Sequence, residues 1–172
     1  MKLKIKVVEA IDIGPIRKMV EKFWAEMGRD YPTLDADEFD RMMMHILSHL
    51  GNPNFIFLLA LDGKKPVGFF MGYVGEHEWG SPKKVGVAQE LYVVPGKRNG
   101  FVGFRLIQKC VELALQQGVE SFECVGGYGT TDKRWERFGF KPHLTYGHCS
   151  KADMLKIVGD KSEYHQEDRY SN

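Results

Sequence analysis

Val85-Gly86-Val87-Ala88-Gln89-Glu90-Leu91-Tyr92-Val93-Val94-Pro95-Gly96 leads through Lys97-Arg98-Asn99-Gly100 into an apolar pattern over residues 101–117. Its first ten residues are rich in β-branched and aromatic side chains and are stopped by Pro95-Gly96, the pattern of a strand ending in a turn. Phe101, Val102, Phe104, Leu106, Ile107, Cys110, Val111, Leu113 and Ala114 follow at helical spacing, and Gly118 stands where a helix C-terminus takes glycine. A basic loop opening a helix gathers free backbone N–H groups, the positive end of the helix dipole and cationic side chains at one place. That place suits an anion such as a phosphate or pyrophosphate. On spacing alone, an ordinary strand-to-helix turn reads equally well.

Working outward, residues 2–10 predict an opening strand, with Leu3, Ile5 and Val7 on one face and lysines on the other. Asp12 is placed to cap a helix carried by Ile13, Ile16, Val20, Phe23 and Met27 and stopped at Gly28. After a connector, Asp35 and Glu38 resemble a capping box ahead of a second helix that turns Phe39, Met42, Met43, Ile46, Leu47 and Leu50 inward. Residues 55–61 and 66–75 read as strands joined by the hairpin signal Asp62-Gly63-Lys64-Lys65. Residues 119–125 predict a further strand, broken by Gly126-Gly127. A short helix through Trp135 and Phe138 and a last strand or hairpin over residues 140–149 complete the pattern. From Ser150 the chain is polar and loses its period, so one domain is expected over residues 1–150, with a polar, partly disordered tail over residues 151–172. Three successive strands imply antiparallel pairing, and a helix between two strands implies a parallel crossover. The expected fold is α/β (α+β): a single-domain mixed sheet, mostly antiparallel, with helices on both faces.

A net charge of +1 argues against a nucleic-acid binder, since such domains carry a basic excess. No apolar run approaches the roughly 18–20 residues that cross a bilayer, and the N-terminus alternates where a signal peptide has an apolar block. Cys110, Cys124 and Cys149 are far apart and odd in number, which reads as buried thiols in a reducing setting rather than as a disulfide. The expectation is a cytoplasmic protein with no nucleic-acid or membrane partner.

Leu91-Tyr92-Val93-Val94-Pro95, then Arg98-Asn99-Gly100-Phe101-Val102-Gly103 with Leu106-Ile107, and later Glu136-Arg137-Phe138-Gly139-Phe140, resemble the signatures of the GNAT superfamily of acyl-CoA-dependent N-acetyltransferases. The element order is similar as well, over residues 1–149. The resemblance implies acetyl-CoA as co-substrate, no metal, and an acceptor amine on a small molecule or a protein, with a homodimer left open. It puts the pyrophosphate on the backbone amides of Arg98, Asn99, Gly100, Phe101, Val102 and Gly103, and the pantetheine arm beside Leu91, Tyr92 and Val93 like an added strand. Asn99 and Phe101 replace the first two glycines of the usual loop, and only Gly103 is in register. Trp135, on the cofactor side, stands where many relatives carry a tyrosine that protonates the leaving thiolate, and an indole N–H is a donor only. Gln89 stands where some relatives hold a glutamate base.

Acetyl transfer needs a neutral amine, yet a free alkyl ammonium has a pKa of about 10.4. Glu90 is the candidate base, directly or through water; a surface or salt-bridged carboxylate is the plain alternative. Alternation sets Glu90 with Tyr92 opposite Gln89, Leu91 and Val93, unless a bulge intervenes. Tyr128 is the candidate general acid, or else a simple loop tyrosine. Glu76-His77-Glu78 and the pair His45 and His49 are metal-capable residue types, but they read rather as a solvated loop and as surface histidines beside core methionines. Trp24, Tyr31 and Trp79 lie where relatives shape the acceptor site. The missing glycines and Trp135 also support an alternative, a GNAT-fold sensor or adaptor that binds acyl-CoA or a protein without turnover.

Overall fold

Period-two alternation builds the sheet and turn chemistry sets its register. The computed structural model describes residues 3–27, 35–76, 82–98 and 101–124, all within the compact unit Met1–Val125, one of two into which the chain divides. In chain order they form β1 (Leu3–Val7), a 3-10 turn (Ala10–Asp12), α1 (Ile13–Met27), α2 (Ala36–Ser48), β2 (Phe55–Asp62), β3 (Lys65–Glu76), β4 (Lys84–Val93), α3 (Phe101–Gln116) and β5 (Val119–Cys124). The sheet runs β1-β2-β3-β4-β5; the first three pairings are antiparallel and β4–β5 is parallel. The fold is therefore the mixed, mostly antiparallel sheet that the element order implied. The expected break at Gly126-Gly127, the helix through Trp135 and Phe138, the final strand, the boundary near residue 150 and the tail all lie outside the described residues.

Helices cover both faces. Ile16, Met19, Val20 and Phe23 of α1 and Phe39, Met43 and Ile46 of α2 form one core with Phe55, Phe57, Leu59, Phe69 and Tyr92 of the sheet. Alternation turns Leu58, Ala60 and Phe70 to the other face, where α3 brings Val102, Leu106, Ile107, Cys110 and Ala114. Full burial of one such large side chain contributes about 1.5–3 kcal/mol. Cys110 is a free thiol within this stripe, and burial pushes it up to about 12, which makes it a packing residue rather than a nucleophile. No helix among the described residues is long and apolar enough to cross a membrane.

Two local expectations are met. Asp35 and Glu38 form the capping box, with Glu38 N–H donating to Asp35 Oδ1 at 2.8 Å and Asp35 N–H to Glu38 Oε2 at 2.9 Å. Asp62 pairs with Lys65, so the hairpin closes on Gly63-Lys64. The start of the chain differs. β1 stops at Val7, which is 50% exposed, while Val8 just beyond is buried and donates its N–H to Phe57 O at 2.9 Å. Lys4 and Lys6 pair with Leu61 and Leu59 and so share the α1/α2 face, where Lys6 Nζ lies 2.9 Å from Asp12 Oδ2. Asp12 does not cap α1. Its carboxylate accepts the Glu9 N–H at 2.9 Å and closes the 3-10 turn, which carries the helix start past it. Burial alone would push the Asp12 carboxyl up, yet the hydrogen bonds from Lys6 and the Glu9 amide hold it below the usual range.

α3 comes close to the sheet at Gly68 of β3. A Cβ there would lie 2.7 Å from the Tyr92 carbonyl oxygen and 3.4 Å from side-chain atoms of Val102 and Leu106. Gly68→Ala is expected to cost about 1–3 kcal/mol in urea unfolding through this overpacking. Gly103→Ala, whose Cβ would meet nothing nearer than 3.8 Å, is expected to hold stability or raise it by up to about 1 kcal/mol.

Candidate functional site

β4 carries a bulge. Met71 pairs with Glu90 and Gly72 with Ala88, so Gln89 has no partner across the β3 ladder and stands exposed. The extra residue resets the alternation. Past it, Glu90 and Tyr92 lie opposite Met71 and Phe69 on the α1/α2 face, whereas Leu91 and Val93 lie opposite Phe70 and Gly68 on the α3 face. Among the described residues β5 follows β4 as far as Ala88, which pairs with Cys124. Val94 N–H donates to Val67 O at 3.0 Å, so the backbone groups of Tyr92 and Val94 face β3 and those of Leu91 and Val93 face the opposite edge. Among the described residues no strand pairs with that edge, and such an edge can accept an extended ligand as an added strand.

The end of β4 is aimed by a tight turn. Lys97 N–H donates to Val94 O at 3.1 Å, with Pro95 second and Gly96 third at φ +82°. This is a type II turn, whose third position needs positive φ. Lys97 Nζ bonds Asp62 Oδ2 at 2.9 Å and ties the turn to the end of β2. Arg98 comes next. Its Nε donates to Val93 O at 2.6 Å, its guanidinium pairs with Glu26 in the last turn of α1, and it lies 5.4 Å over the Tyr92 ring. Tyr92 Oη donates to Glu26 Oε1 at 2.9 Å. Phe101 opens α3 half exposed, Val102 is fully buried, and Gly103 lies against Leu91 and Val93. The N-terminus of α3 and its first-turn N–H groups are thereby set beside the open edge.

Of the residues expected at the cofactor, Leu91, Val93, Arg98, Val102 and Gly103 are brought together. Tyr92 turns its backbone to β3 and its ring into the core, 5.8 Å from Phe23 and 5.7 Å from Phe69. Asn99, Gly100, Tyr128 and Trp135 lie outside the described residues, as do Tyr31, His77, Glu78 and Trp79. No group of three or more metal-capable side chains occurs among the described residues; His49 Nδ1 lies 2.8 Å from His45 O, within the turn of its own helix end. Glu26 is the residue the sequence did not announce. Its partners are 66 and 72 positions away, and it has no motif around it.

The two carboxylates beside Tyr92 are tuned in opposite directions. Burial would raise Glu26, but hydrogen bonds from Arg98 and Tyr92 outweigh it and hold the group below the ordinary carboxylate range. Glu90 is mostly buried with no donor or cation against it among the described residues, and desolvation pushes it from 4.5 up to about 7. In that interval the folded chain keeps a proton the unfolded chain has lost, so stability falls as pH rises from about 4.5 to about 7. A shift of this size corresponds to up to about 3 kcal/mol. Glu90→Gln is expected to abolish that decline, making the variant the more stable protein at pH 8 but not at pH 4; urea unfolding across this range checks it.

Comparison with known proteins agrees with this geometry. Residues 16–140 match the sequence model of the Acetyltransferase (GNAT) family. No curated protein sequence matches the chain. Among solved structures, glucosamine-6-phosphate N-acetyltransferase from Arabidopsis thaliana superposes with a TM-score of 0.67 at 14% identity, covering 88% of this chain and 99% of that one. A predicted acetyltransferase from Clostridium acetobutylicum, solved with acetyl-CoA, gives 0.71 at 11% identity over 90% and 97%. AAC(6')-Iy, in complex with the bisubstrate analogue CoA-S-monomethyl-acetylneamine, gives 0.70 at 15% identity over 88% and 99%.

Proposed function

Because the chain belongs to the GNAT acetyltransferase family, we propose that it transfers the acetyl group of acetyl-CoA to a primary amine by direct attack on the thioester. The observation that carries the proposal is the β4 edge past the bulge, where Leu91 and Val93 turn their backbone away from β3 beside the N-terminus of α3. In this reading the pantetheine arm lies along that edge. The pyrophosphate rests on the amides of Arg98, Asn99, Gly100, Phe101, Val102 and Gly103, favoured by about 0.3–1 kcal/mol at an exposed helix N-terminus. An anion fits there: the first turn of α3 holds no acidic side chain. The ring of Phe101 at the start of α3 is half exposed. The catalytic domain is taken to end near residue 150, and the setting to be the cytoplasm, with neither nucleic acid nor membrane required.

Glu90 receives the proton of the acceptor ammonium. Burial that raises a carboxyl pKa lowers that of an ammonium from about 10.4, which narrows the gap between them. The amine nitrogen then forms its bond to the acetyl carbon, the C–S bond breaks, Tyr128 protonates the leaving thiolate, and the second proton lost by the nitrogen returns to the Tyr128 oxygen through solvent. A backbone N–H on the open edge polarises the carbonyl. Trp135 serves the cofactor side as a donor. A binding protein without turnover would use the same edge, and release of free thiol separates the two readings.

Acetyl-CoA is expected to raise the melting temperature, with about 2.7 kcal/mol added at 100 times its dissociation constant; no shift at millimolar ligand would sink the proposal. Over a panel of small amines, amino acids and lysine peptides, kcat/KM is expected to rise with pH through about 7 as Glu90 ionises. Glu90→Gln should lose roughly 100-fold or more together with that rise. An unaltered pH profile in both Glu90→Gln and Tyr128→Phe would remove both assignments.

A further inference from the structure

Arg98 is held at three points at once. Its Nε occupies the Val93 carbonyl at 2.6 Å, its terminal nitrogen pairs with Glu26, and its plane covers the Tyr92 ring. The Val93 carbonyl is one of the few acceptors on the open β4 edge, and it is the one nearest the loop into α3. An extended amide ligand adding to that edge donates to this same oxygen, so it competes with Arg98 there and favours its leaving. What resists its leaving is Glu26, itself fixed by the 2.9 Å hydrogen bond from Tyr92. Glu26 sits on α1, and no motif of the loop includes it.

We propose that Glu26 is a positioning residue that latches Arg98 across the Val93 carbonyl, and that CoA binds by exchanging this latch for its own amide and phosphate groups. The proposal rests on the acetyl-CoA reading of the same edge. Glu26 then acts against the ligand: its carboxylate competes with the pyrophosphate for one guanidinium, while its grip holds Arg98 on the Val93 carbonyl in the free protein. The pair is 46% and 39% exposed at its two side chains, so the competition is modest, on the order of two- to fivefold in affinity. It weakens as added salt screens the pair.

The test is titration calorimetry of the full chain with CoA, together with the Nε–H signal of Arg98 in nitrogen-15 spectra. Glu26→Gln, which removes the charge and keeps the shape, is expected to bind CoA roughly two- to fivefold more tightly than the wild type at low salt, with the gap closing at high salt. Glu26→Asp, which keeps the charge, is expected to return toward wild-type affinity. In the wild type the Arg98 Nε–H signal should shift when CoA saturates the protein. Unchanged or weaker binding by folded Glu26→Gln overturns the latch, and so does an Arg98 signal that CoA leaves in place. If neither protein binds CoA at millimolar concentration, the acetyl-CoA reading itself falls and takes the latch with it.

Discussion

One unpaired residue, Gln89, governs the site. Were Gln89 paired like its neighbours, β4 would keep a single phase from Lys84 to Val93 and would place Glu90 against α3 and Leu91 against α1, as a strand without the bulge does. With it, the strand switches phase between Ala88 and Glu90. The apolar residues on either side of the bulge stay inside, and the carboxylate comes to lie on the face of Phe69 and Tyr92. The bulge also follows directly on the last pairing of β5 with β4 among the described residues. The bulge thus sets which face of the sheet a titratable group takes.

That edge is bounded by two carboxylates two strand positions apart in effect, Glu90 on β4 and Glu26 reaching in from α1 to Tyr92. Their chemistry differs because their neighbours differ. Glu26 meets a guanidinium and a phenol, so it is a fixed anion across the working pH range. Glu90 has no hydrogen-bond partner among the described residues and is raised to about 7 by burial. A carboxylate given donors is held charged, and one denied them by burial keeps its proton to a higher pH.

Much of the fold was legible because its signals are local. The capping box at Asp35 and Glu38, the turn at Gly63-Lys64 and the helical stripe from Val102 to Ala114 each lie within a few residues and are found where they were expected. The misreadings came from competition between equally local rules. Asp12 has the right chemistry for a helix cap, but Lys6 and the Glu9 amide claim it first, and Val7 yields its inward place to Val8 once β1 ends. The site was legible only in outline. The basic loop and the strand before it stand out, whereas the bulge leaves no glycine or proline at Gln89 to announce it. Glu26 could not be found at all, since its role exists only after α1 has packed over β4.

Chain order and sheet order coincide here, β1 through β5. Every strand up to β4 therefore finds its partner already made, as the chain leaves the ribosome, by a connection to its immediate predecessor. β5 alone must wait for a helix to be built and laid down first, because a parallel neighbour cannot be reached by a hairpin. Synthesis proceeds from the N-terminus, so the nascent protein acquires its aromatic core before it acquires the helix terminus beside Val93. On a ribosome-bound chain, then, the antiparallel part of the sheet can close before α3 and β5 have emerged.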